Sequence, residues 1–167
     1  MTFDEQDYAE IARATAGAKK RIIAITVSYI EGADPALASS YRLVYSGNDV
    51  HPDTGEIDCR GTAGVIHVLH FTPMPGENVV DASFNPPSNS TTVLFLLGEV
   101  KEHDCVDSHD HDEFSRIVMK PNSDRLDVKN NKLNSTKRLG YKFRLWIKIA
   151  GGSSPVGVLF DPRIINV

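Results

Sequence analysis

Tyr141-Lys142-Phe143-Arg144-Leu145-Trp146-Ile147-Lys148-Ile149 decides the fold class. Tyr141, Phe143, Leu145, Ile147 and Ile149 fall on one face of an extended chain, and Lys142, Arg144, Trp146 and Lys148 fall on the other. A period of two with apolar residues on one side is the pattern of a strand that packs on a core and turns its back to solvent, as antiparallel sheets allow. Gly151-Gly152-Ser153-Ser154 then forms a hairpin loop, Val156 to Phe160 returns as the partner strand, and Asp161-Pro162 bends the chain before the apolar tail Ile164-Ile165-Asn166-Val167.

Upstream the same reading recurs. Arg21 to Ile30 is rich in β-branched residues, with Ile23, Ile25, Val27 and Tyr29 on one face, and reads as a central strand. Further strands are expected at Tyr41 to Tyr45, Gly64 to Phe71, Val79 to Phe84, Thr91 to Val100, Phe114 to Met119 and Leu126 to Val128. Ser46-Gly47-Asn48-Asp49 and Pro121-Asn122-Ser123-Asp124 read as turns, and Pro73-Met74-Pro75-Gly76 and Asn85-Pro86-Pro87 as breakers. Ahead of the strands, Tyr8, Ile11, Ala12 and Thr15 have helical spacing, with acids early and Lys19 and Lys20 late to complement a helix dipole. The expected architecture is mainly β: an N-terminal helical arm over 1–20, then one antiparallel β-sandwich domain over 21–167, of Ig-like or jelly-roll type with about seven to nine strands. No repeat or linker marks a second domain.

Composition agrees with a packed globular chain. Of 167 residues, 41% are hydrophobic and 24% charged, far from the balance that keeps chains disordered. The longest apolar runs, Val93 to Gly98 and Arg21 to Ile30, fall well short of the ~20 residues that a helix needs to cross a bilayer. The acidic start, Met1 to Asp7, does not read as a secretory leader, which sets the expectation of a cytoplasmic protein with reduced thiols at Cys59 and Cys105. The net charge of −4 conceals two opposed segments. Glu99 to Glu113 holds seven acids against one lysine, and Arg116 to Lys148 holds ten bases against two acids.

The acidic segment also carries three of the six histidines. His109 and His111 share a side of an extended chain, and His103 and Cys105 repeat that two-residue offset. Imidazole and thiolate at these offsets can hold zinc or another transition metal if the segment folds so that they converge. A solvated acidic loop explains the same composition without any cofactor, and it is the preferred reading. His67 and His70, three apart in a strand, face opposite ways and cannot pair as ligands; His51 precedes Pro52 in a turn. None of the nucleophile-elbow, zinc-protease, phosphate-loop or dinucleotide-binding signatures occurs in the chain.

Lys142, Arg144 and Lys148 with Trp146 make a candidate binding face, since cations hold phosphates and an indole can stack a base. The acidic whole, of pI about 5.8, and the lack of an RNA- or DNA-binding signature argue against nucleic acid. Pairing of this face with the acidic segment, within one chain or between copies, is the simpler expectation.

The C-terminal stretch, Tyr141 to Ile149, its glycine turn, and Gly157-Val158-Leu159-Phe160-Asp161-Pro162-Arg163-Ile164-Ile165, resembles the closing hairpin of the AidA/PixA inclusion-body family. The resemblance implies a β-sandwich without assigned catalytic residues, and a structural role for Asp161-Pro162. Residues and resemblance together predict a non-enzymatic protein that acts by binding a ligand or protein partner or by self-association, without a membrane. The alternative is a metal-dependent, hydrolase-like enzyme built on His103, Cys105, His109 and His111.

Overall fold

A computed structural model describes residues 19–47, 49–58, 67–87, 95–101, 104–105, 114–119, 126–130, 138–161 and 163–165. They are mainly β. The strands are β1 (Lys19–Tyr29), β2 (Tyr41–Gly47), β3 (Ile57–Asp58), β4 (His67–Pro75), β5 (Val79–Ser83), β6 (Phe95–Lys101), β7 (Asp104–Cys105), β8 (Phe114–Met119), β9 (Leu126–Asn130), β10 (Arg138–Ile149), β11 (Val156–Phe160) and β12 (Arg163–Ile165). One sheet has the order β2-β1-β4-β9-β8; the other runs β3-β12-β10-β6-β7, with β11 and β5 also paired to β10. The twelve strands among the described residues exceed the expected seven to nine because β3, β7 and β12 are two or three residues long, too short to show alternation.

The sheets are mixed rather than purely antiparallel. β1 and β4 pair in parallel from Lys19 beside His67 to Val27 beside Pro75, and β12 pairs in parallel with β3. Most of the expected helix lies outside the described residues, but its last two positions, Lys19 and Lys20, belong to β1. Among the described residues the only helical element is the 3-10 turn Ala38–Ser40.

β4 also corrects the reading of Pro73 and Pro75 as breakers, since the strand runs through both. The Gly76 amide donates to the Val27 carbonyl at 2.7 Å. By alternation, the nitrogens of Pro75 and Pro73 then face away from β1. On that side β9 pairs with β4 only from His67 to Phe71. The missing N–H groups fall beyond the last described pair of that ladder, so the prolines remove none of its described bonds.

One buried cluster draws residues from both sheets. Ile23, Ile25, Val27, Tyr41, Tyr45, Leu69 and Phe71 supply it from the first, and Ile57, Ala82, Tyr141, Phe143, Leu145, Ile147, Val158 and Phe160 from the second. Aromatic pairs cross between them: Phe71 and Tyr141 at 5.5 Å, and Tyr41 and Phe160 edge-to-face at 6.1 Å. Fully burying side chains of this size contributes about 1.5–3 kcal/mol each. The Tyr141 hydroxyl donates to the Gly55 carbonyl at 2.7 Å, which ties the loop before β3 to the core. Burial pushes the Tyr141 and Tyr45 phenols well above their ordinary pKa, and for Tyr141 the nearby Tyr45 adds to the effect.

Two features close the ends of this core. At one end the chain turns from β4 into β5, from sheet to sheet. The Glu77 amide donates to Ser28 Oγ, the Tyr29 amide to the Glu77 carbonyl, and the Ala150 amide to the Asn78 carbonyl. Glycine is required at 76, because a Cβ there would meet Ser28 Oγ at 2.4 Å and the Val27 carbonyl at 2.9 Å. Asn78 takes the left-handed backbone that asparagine tolerates, with φ at 59°. At the other end Arg21, only 2% exposed, pairs with the Asp49 carboxylate and donates to the Asp58 carbonyl at 3.3 Å.

Candidate functional site

β10 organises the second sheet, since β11 and β12 pair along one side of it and β6 and β5 along the other. Its period of two is realised residue by residue. Tyr141, Phe143, Leu145 and Ile147 are fully buried, while Lys142, Arg144, Trp146 and Lys148 stand half-buried on the outer face.

The register identifies the neighbours of that face. Trp146 lies opposite Gly157 of β11 and Ser83 of β5, Arg144 opposite Leu159, and Lys148 opposite Asp81. A residue is inserted in β5 between the partners of Lys148 and Ile149, a bulge that leaves Val80 outside the ladder and exposed. Without it Asp81 and Ser83 would lose their outward register. Gly157 makes room for the large side chains: a Cβ there would meet the indole ring at 3.0 Å and Arg144 Cδ at 3.2 Å. The Arg144 guanidinium carbon sits 5.8 Å from the centre of the Trp146 ring, within cation–π range. Leu159 beside them is 46% exposed.

The indole Nε1 of Trp146 is shielded from solvent and has no hydrogen-bond acceptor among the described residues. Such a group costs about 1–3 kcal/mol. The N–H makes no bond that folding uses among the described residues, while the ring and the nearby guanidinium form a patch on the outside of the sheet. Arginine and tryptophan are the types that dominate binding energy at protein interfaces. The patch is less cationic than the sequence suggests, because Lys148 faces Asp81 and the common register of β11 and β12 puts Lys142 opposite Asp161.

Pairing of Lys148 with the described acids of the same chain meets a geometric obstacle. β6 runs antiparallel to β10 and places Glu99 opposite Leu139, and β7 pairs at Val100 and Lys101. Lys148 lies nine residues further along β10, about 30 Å away at ~3.3 Å per residue. The described acids Glu99 and Asp104 are thus at the far end of the strand from Lys148.

Of the proposed ligand set, His103, His109 and His111 lie outside the described residues, as does Cys59, and Cys105 lies in β7 opposite Val100. Among the described residues no group of three or more His, Cys, Asp or Glu could hold a metal ion. His70 is buried in β4. His51 acts within its turn, where Nδ1 accepts from the Asp53 and Thr54 amides, both at 3.2 Å.

Sequence reasoning missed Arg21, Asp81, Gly157 and Leu159. Arg21 was within reach, since strict alternation from Ile23 places it on the core side. The others depend on strand register. No helix among the described residues is long and apolar enough to cross a membrane. No protein-family model, curated protein or solved structure matches the chain.

Proposed function

We propose that the protein is a non-enzymatic β-sandwich of the cytoplasm that works by binding a protein partner through the outer face of β10, self-association included. The observation that carries this reading is the Arg144–Trp146 cation–π pair, which Gly157 accommodates on the sheet face that turns away from the core. Arg144 favours an acidic partner segment. Kinship with the AidA/PixA inclusion-body family is part of the proposal, and fits a β protein that acts by association rather than turnover.

The chain contains a single tryptophan, so its emission reports this face directly. Titration with a glutamate-rich peptide is expected to give a saturable change in Trp146 emission that Arg144→Gln abolishes. An equal response to a neutral peptide, or none to either, would contradict the reading. Stoichiometric zinc retained after gentle purification and lost in His109→Ala would move the function to the 103–111 segment.

A further inference from the structure

The edge of the second sheet changes character along its length. β11 and β12 follow β10 in one continuous register. β3 covers β12 from Ile164 onward, whereas no strand among the described residues pairs with the outer side of β11. Val156-Gly157-Val158-Leu159-Phe160 contains no charge and no proline, and its ladder shows no register shift. Charges, prolines and bulges are the devices that usually protect an edge. On that side its backbone donors and acceptors have no strand partner among the described residues, although the turn Ala38–Ser40 lies close by, and they fit one kind of partner, another extended strand.

We propose that this partner is β11 of a second copy, paired antiparallel across a two-fold axis at Val158. In that register Val158 meets Val158 of the second copy, and Gly157 of each copy faces Leu159 of the other. The exposed leucine then packs beside the indole that fills the space over the opposing glycine, so the one large apolar side chain exposed on this strand meets an aromatic ring. One step further out, Pro155 of each copy faces Asp161 of the other. Asp161 stands in one cross-strand row between Lys142 of its own chain and Lys148 of the second copy, since these lysines are opposite residues 161 and 155 in the β10 register. Directly across the seam Asp161 faces an uncharged Pro155, with Lys148 one strand beyond, and no like charges face each other. The open length of five residues predicts a weak dimer. This pairing uses the sheet edge rather than its face, so it and the binding of an acidic peptide can each fail alone.

The test is sedimentation from about 1 μM to about 1 mM protein, read alongside Trp146 emission. The full chain is expected to dissociate on dilution, with emission moving to the red at the same midpoint. Leu159→Lys is expected to be a monomer throughout, with an unchanged circular dichroism spectrum. If that variant does not fold, Asp161→Lys replaces it and is expected to raise the dissociation constant at least tenfold. A chain monomeric at every concentration, a dimer that survives Leu159→Lys, or an Asp161→Lys dimer of unchanged affinity would overturn the proposal.

Discussion

The two faces of β10 share one backbone and differ in what holds them. On the inner face every side chain from Tyr141 to Ile147 is enclosed by aromatic and aliphatic neighbours from both sheets, with Phe143 in contact with Phe84, Tyr141 and Phe160. On the outer face Arg144 and Trp146 lean on each other over a glycine, and the indole N–H has no acceptor. The inner row satisfies the requirements of folding and the outer row does not, which frees the outer row for recognition. Substitutions along the strand should therefore alternate in effect with a period of two.

Phe143→Ala should be the most damaging, because it empties a site with no exposure and leaves a cavity; a loss of about 3–5 kcal/mol in urea denaturation is expected. Tyr141→Phe keeps the volume but leaves the buried Gly55 carbonyl without its donor, at about 1–2 kcal/mol. The tyrosines also predict an alkaline limit. Below pH 10 folded and unfolded chains alike keep the phenolic protons of Tyr45 and Tyr141, and stability does not depend on them. Above pH 10 the unfolded phenols ionise while the buried ones stay protonated, so stability falls by up to about 1.4 kcal/mol per pH unit for each. Denaturation at pH 9 and pH 11 checks this, and the drop should shrink in Tyr141→Phe.

At the Arg21 end of the core, Asp49→Asn keeps a residue that tolerates the left-handed backbone and removes only the charge opposite a buried guanidinium. A loss of about 1–2 kcal/mol is expected, with no change in the Trp146 emission. Trp146→Phe should be milder still, below about 1 kcal/mol, since the indole N–H makes no hydrogen bond among the described residues to lose. A loss as large as that of Phe143→Ala would erase the distinction between the faces.

What could be read from the sequence follows the same division. β10 and β1 were legible because alternation is a local property of each strand. The parallel pairing of β1 with β4 was not, because a register between segments more than forty residues apart leaves no trace in either one. Pro73 and Pro75 read as breakers because nothing local shows that their missing donors face away from β1 and lie beyond the last described pair of β4 and β9. The Lys142, Arg144, Trp146 and Lys148 row was legible as a face, but its partial neutralisation by Asp81 and its dependence on Gly157 come from strands that only the fold brings alongside.

The claim that the outer face binds rather than folds is tested most directly by measuring stability and peptide binding on the same variant. Arg144→Gln should denature within about 0.5 kcal/mol of the parent chain while losing the emission response to a glutamate-rich peptide. A variant that loses stability by several kcal/mol, or keeps the full response, would contradict it.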